Sequence, residues 1–207
     1  MAVAGLCTGL VVVLRWAISR SGWVRSTDAA TLRWMAGHRS AALSSVFRTI
    51  TAFGDVTVVI PLVLLGAALL AWRRRGDLAV VLVASSAGTW VLVNSMKLAV
   101  QRPRPPEAVR LVAASGWSFP SGHAGQAAGA YFALAVLFAM AVGRTRWSAV
   151  VVVVGAAVAL LIGASRIYLG VHWLSDVVAG WAVAVAWLAV LLAVLSLRRR
   201  GANRARC

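Results

Sequence analysis

The chain has 207 residues, of which 61% are hydrophobic and 13% charged, with a mean hydropathy of +0.86. Soluble domains carry about a quarter charged residues, so most of this chain belongs in lipid and not around a water-facing core. The net charge is +16 against five acids, Asp28, Asp55, Asp77, Glu107 and Asp176; the basic residues flank apolar runs instead of forming one stripe, which points away from nucleic acid and towards anionic headgroups and topology signals.

A hydrocarbon core of about 30 Å takes about 20 apolar residues as a helix. The first candidate span is Ala2 to Ile18, interrupted by Arg15. It is short, but it lacks the basic leader of a signal peptide and is expected to be a membrane helix. An amphipathic stretch, Arg20 to Gly54, follows, with Leu32, Met35, Leu43, Val46, Phe47 and Ile50 at near-helical spacing among arginines. It predicts one or two interfacial helices serving as a surface connector.

The second span is Val56 to Trp72, stopped by Arg73-Arg74-Arg75-Gly76-Asp77, and the third is Leu78 to Val100, stopped by Gln101-Arg102-Pro103-Arg104-Pro105-Pro106. The fourth is Pro120 to Val142, the fifth Trp147 to Ala164, and the sixth Trp173 to Leu197, which meets Arg198-Arg199-Arg200. The expectation is an all-α polytopic membrane protein of about six transmembrane helices. It forms one domain over 1–207, with a basic tail at 198–207 and no internal repeat. Cys7 and Cys207 offer neither metal spacing nor a disulfide framework.

Six spans put both ends of the chain on one side of the membrane. Lys and Arg then number ten on each side. If Lys97, Arg104 and Arg166 serve chemistry, the balance becomes ten to seven. Both ends are therefore expected in the cytoplasm, helped by the tight arginine clusters that abut helix ends.

Ionisable groups at membrane depth are costly and mark function. On this topology Lys97, Arg104, Ser121, His123, Arg166, His172 and Asp176 all fall at one membrane face. Lys97 ends the third span, and the prolines around Arg104 force an extended exit that lets it swing over the same pocket. Lysine supplies a point charge and arginine a bidentate fork, and both suit phosphate oxygens. In Phe119-Pro120-Ser121-Gly122-His123, Pro120 opens a helix whose N-terminus attracts anions. Gly122 allows close backbone approach, Ser121 can donate its hydroxyl, and His123 can give a proton near neutral pH. His172 and Asp176 are four apart and are expected on one helix face, where the carboxylate holds one imidazole nitrogen protonated and frees the other to attack.

The ordered strings Lys97…Arg104-Pro105, Pro120-Ser121-Gly122-His123 and Ser165-Arg166…His172…Asp176 resemble the type 2 phosphatidic acid phosphatase family, which also includes vanadium haloperoxidases. Every position of the pattern matches within residues 97–176. The resemblance implies that His172 is a nucleophile forming a phosphohistidine, that Asp176 orients it, and that His123 acts as general acid and then base. It also implies that Lys97, Arg104, Ser121, Gly122 and Arg166 cradle the phosphate, with no cofactor and no metal. Ser165 is expected to pack or cap.

The expected function is hydrolysis of a lipid phosphate monoester or diphosphate at the outer face of the cell membrane. Polyprenyl (undecaprenyl) diphosphate is favoured slightly over phosphatidic acid and phosphatidylglycerol phosphate. A phosphotransferase would use the same site. A soluble haloperoxidase conflicts with the six spans. A non-catalytic transporter or scaffold leaves the convergence of seven polar residues without a reason.

Overall fold

The structure is a computed structural model describing residues 2–143 and 145–204; Arg144 and the end of the basic tail, with Cys207, lie outside the described residues. The described residues are helical and contain no strand. The long helices are α1 (Ala2–Arg20), α4 (Val56–Trp72), α5 (Gly76–Val100), α6 (Gly122–Ala127) continued by α7 (Ala133–Val142), α8 (Arg146–Tyr168) and α9 (Leu174–Arg204). A π-helical turn, Ala128–Phe132, joins α6 to α7. Five of these rods are long and apolar enough to cross a bilayer. With 17 residues α4 is about 25 Å long, short for the hydrocarbon core. It becomes a sixth span together with α3 (Ala41–Ala52), bent from it by 50°.

The span boundaries follow local chemistry. Helix α5 ends at Gln101, which turns to φ 51°, because Pro103 bars helical geometry for the residue before it. Thr145 and Ser148 close a capping box at the start of α8. Leu64, Leu65, Val80, Leu98 and Val153 are exposed on the outer surfaces of the spans, where a soluble protein would place polar residues.

Helix α9 is central. Its Ala179, Ala182 and Val183 pack with Val11 of α1 and Val93 of α5, and Cys7, Leu14 and Ile18 complete that cluster. This packing makes α1 part of the bundle. Leu188 joins Val59, Val63 and Leu82 in a second cluster between α4, α5 and α7. The many alanines let the helices approach closely, as membrane interfaces require.

The Arg20–Gly54 stretch forms α2 (Gly22–Gly37) and α3. It does more than connect. Leu32 is buried, Met35 packs on Ile167 and Val177, and Phe47 stacks on Tyr168 with centroids 4.3 Å apart. Arg39 donates through Nε (3.1 Å) and Nη2 (2.6 Å) to the Tyr168 carbonyl. Leu43 and Val46 are exposed. The surface-connector expectation is thus corrected: α2 and α3 are docked over the ends of α8 and α9, where the motif residues gather.

Candidate active site

Helix α8 ends in a Schellman turn. The Gly170 N–H bonds the Ile167 carbonyl at 2.9 Å and the Val171 N–H bonds the Arg166 carbonyl at 3.1 Å. Gly170 has φ 74°, the left-handed conformation that this motif needs. The turn delivers His172 just ahead of α9. His172 and Asp176 therefore meet as expected, but not on one helix: only Asp176 is helical. The difference arises because the Gly170 turn and the start of α9 at Leu174 leave His172 in the connection.

Asp176 is fully buried and surrounded by donors. Its Oδ1 accepts from Arg102 Nη1 at 2.6 Å. Its Oδ2 accepts from the Trp173 N–H at 2.9 Å, from the Ser118 hydroxyl, and faces His172 Nδ1 at 3.4 Å. On the other side of the ring, Arg104 Nη1 lies 3.0 Å from His172 Nε2 and also donates to the Val171 carbonyl at 2.8 Å. A guanidinium can only donate. Nε2 is therefore the lone-pair nitrogen and Nδ1 carries the hydrogen, the tautomer a nucleophile needs. Burial pushes the His172 pKa down to about 3; Asp176 opposes this, while Arg104 and Lys97 reinforce it. The imidazole is thus neutral at physiological pH. Burial also lowers the Arg104 pKa from its ordinary value, with Asp176 opposing.

The cationic residues share one volume. The charges of Lys97, Arg104 and Arg166 are close enough to act on one another. Lys97 Nζ donates to the Trp117 carbonyl at 2.6 Å, and Arg104 Nε and Nη2 hold the carbonyls of Ser115 and Gly116. Arg166 is buried. Its Nη1 donates to Thr51 Oγ1 at 2.6 Å, whereas its Nε has no partner among the described residues. A buried, unsatisfied guanidinium N–H is costly unless an acceptor arrives.

Ser121 caps α6, its Oγ accepting from the Ala124 N–H at 3.4 Å, and it is wholly buried. A Cβ added at Gly122 would meet no atom within 4 Å, so the space beside this glycine is open. His123 lies one residue on and its Nε2 bonds Asp55 Oδ1 at 2.9 Å. Ser165 returns its hydroxyl to the Ile162 carbonyl at 2.6 Å, the packing role expected of it.

Several residues of this cluster were not singled out from sequence. Arg102 reaches from Asp176 to Asp28 Oδ2 at 2.7 Å, and Asp28 in turn accepts from the Ser175 hydroxyl (2.6 Å) and the Ser175 N–H (2.9 Å). A carboxylate on α2 thus caps the N-terminus of α9. Asp28, Arg102 and Ser118 are all buried. Their signal was the scarcity of acids: an aspartate inside an arginine-rich connector in so apolar a chain requires a partner.

A family model for the PAP2 superfamily matches residues 78–200, which contain every one of the motif residues. This chain belongs to that family. Phosphatidylglycerophosphatase B of Bacillus subtilis is 33% identical over 163 residues, covering 77% of this chain and 79% of that protein. Undecaprenyl-diphosphatase of Sulfolobus acidocaldarius is 29% identical over 156 residues, covering 73% and 69%. A crystal structure of a transmembrane PAP2-type phosphatidylglycerolphosphate phosphatase from Bacillus subtilis superposes with a TM-score of 0.86 at 26% identity, over 94% of this chain and 96% of that one. The chain is a multi-pass membrane protein of the PAP2 superfamily, and its relatives are lipid phosphatases.

Proposed function

We propose that this PAP2 protein hydrolyses a lipid phosphate monoester or diphosphate through a phosphohistidine on His172. The observation that carries this reading is the state of the His172 ring. Nδ1 faces a carboxylate, Nε2 presents its lone pair, Arg104 and Lys97 act on the ring, and the charge of Arg166 is felt by Lys97 beside them. When the substrate enters, Arg104 turns from Nε2 to the phosphate, and Lys97, Arg166 and the N-terminus of α6 at Ser121 and Gly122 share the remaining oxygens. The unpartnered Arg166 Nε supports that role. Charge developing on the equatorial oxygens is stabilised by such a preset cradle. Nε2 attacks phosphorus as the bond to the lipid oxygen breaks, and His123 protonates that oxygen. Water then attacks the phosphohistidine, giving its proton to His123, and inorganic phosphate leaves.

A cavity of about 710 Å³ begins at Asp55, Gly122 and His123 and runs along α4 and α5, where Val59, Ile60, Val63, Leu64, Trp90 and Val91 line it. It opens beside His123, the residue read as the acid for the lipid oxygen, and its walls suit a hydrocarbon chain. A hollow of similar size, under residues 107–115, includes none of the motif residues. We propose the extracytoplasmic face for the site and the cytoplasm for both chain ends, a reading supported by the arginine clusters after α4 and within α9.

The test is phosphate release in detergent from phosphatidylglycerol phosphate, undecaprenyl diphosphate and phosphatidic acid, with His172→Ala as control. Phosphatidylglycerol phosphate and undecaprenyl diphosphate come first, following the relatives' names. The expected result is turnover of at least one lipid by the wild type and none by the variant. Equal release by both proteins, or none from any lipid, would overturn the reading.

A further inference from the structure

We propose that Asp55 is the carboxylate partner of His123, so that the site contains two His–Asp pairs, one serving the nucleophile and one serving the acid. The inference rests on the reading of His123 as general acid given above.

Four observations carry it. First, Asp55 Oδ1 lies 2.9 Å from His123 Nε2, across 68 residues of sequence. Second, Asp55 occupies the N-cap of α4 but makes no side-chain cap bond there. Aspartate at this position ordinarily accepts from the first turn of its own helix; here it is turned to the imidazole instead. Third, Gly54 permits the approach. A Cβ on Gly54 would lie 2.8 Å from His123 Cδ2 and 2.8 Å from Ile162 Cγ2, so a side chain there would push the ring away. Fourth, the corner that presents Asp55 is fixed to the same helices as the cradle. Thr51 Oγ1 accepts from Arg166 Nη1 at 2.6 Å, and the Phe53 carbonyl accepts from the Tyr131 hydroxyl at 2.8 Å.

The electrostatics call for such a partner. Arg166 and Arg104 also act on the His123 ring, and Asp55 is the carboxylate among the described residues that opposes them. The carboxylate holds the hydrogen on Nε2 and leaves Nδ1 to deliver and recover the working proton. In the first step the His172 Nε2–phosphorus bond forms and the phosphorus–oxygen bond to the lipid breaks. The electron pair stays on the lipid oxygen, which takes the Nδ1 proton, and His123 becomes neutral. In the second step water's oxygen bonds phosphorus, the phosphorus–nitrogen bond breaks, and water's proton returns to Nδ1. Asp55 remains a carboxylate throughout. It is a positioning residue, exposed at the mouth of the cavity on the leaving-group side.

The test is the pre-steady-state burst of leaving-group release, which isolates formation of the phosphoenzyme from its hydrolysis. Two substrates are compared: dioctanoyl phosphatidic acid, whose alkoxide needs a proton to leave, and p-nitrophenyl phosphate, whose phenolate does not. Asp55→Asn, close in shape to the native residue, is expected to slow the alkyl burst by roughly 10–100-fold more than the aryl burst, a fraction of the general-acid effect. Asp55→Glu is expected to recover most of the alkyl rate. In a His123→Ala background, Asp55→Asn is expected to add no further loss. Equal slowing of both bursts, no change in either, or full additivity with His123→Ala would overturn the proposal. If His123→Ala itself leaves the alkyl-to-aryl ratio unchanged, the general-acid reading falls and the proposal with it. A selective His123→Ala beside an unselective Asp55→Asn removes the proposal alone.

Discussion

Replacing Arg102 by Met probes the buried network behind His172. The guanidinium spans two carboxylates, at 2.6 Å to Asp176 and 2.7 Å to Asp28, and donates to Ser175 Oγ at 2.7 Å. Asp176 and Asp28 are 0% and 2% exposed, so neither can turn to water. Removing one partner of a single buried pair costs about 3–5 kcal/mol, because the other charge stays buried. Here two carboxylates lose the same cation, which places the loss near the upper end, about 5 kcal/mol. At about 2–4 °C per kcal/mol for a chain of this size, the thermal midpoint falls by about 10–20 °C. The assay is thermal unfolding in detergent with lipid phosphatase activity measured in parallel. Asp28→Asn added to Arg102→Met removes one stranded charge and should recover about half of the loss. It should not restore kcat, since Asp176 still lacks its Oδ1 donor. A midpoint within about 2 °C of wild type for Arg102→Met, or no recovery in the double variant, would refute the network's role.

Three further outcomes are expected. Gly170→Ala forces a side chain into φ 74° and against the Val109 carbonyl; it should cost at least about 1–2 kcal/mol in unfolding and reduce kcat by displacing His172. Because the folded pKa of His172 lies near 3, below the ordinary 6.5, the unfolded chain binds a proton that the folded chain refuses. Stability associated with His172 is then complete above pH 6.5 and declines by up to about 1.4 kcal/mol per pH unit as pH falls towards 3. Unfolding of wild type against His172→Gln between pH 4 and 8 reads that slope, and an opposite slope would contradict it. Among the described residues no three His, Cys, Asp or Glu side chains gather as metal ligands would, so EDTA should leave activity intact; loss that returns with added metal would refute this.

Much of the architecture was legible because lipid enforces long apolar runs. The span Val56 to Trp72 appears with those bounds as α4, and the third span differs from α5 by two residues at one end. The fifth extends beyond the expected Ala164: α8 continues to Tyr168 because Arg166, a stop signal on polarity alone, is buried with its Nη1 bonded to Thr51. The convergence of the seven motif residues was likewise readable, since each stands at a span end or in the connection beside one. Tertiary partners were not. Asp28 and Arg102 are 74 residues apart, and no local period links them. Asp55 at a helix start reads as an ordinary cap, and only the folded chain turns it to His123. The polar face of α2 looks the same in sequence whether it meets headgroups or a buried arginine. A four-residue spacing puts His172 and Asp176 on one helix face, and it says nothing about the Gly170 turn and helix start between which the histidine falls.

On the reading proposed above, His172 carries the phosphoryl group. This is tested most directly by rapid quench of the wild type with a lipid bearing a radiolabelled phosphate, held at alkaline pH where phosphohistidine survives, followed by peptide mapping. Transient label is expected on the peptide containing His172, decaying at the rate at which inorganic phosphate appears. Phosphate release with no labelled protein, or with label on another residue, would contradict it.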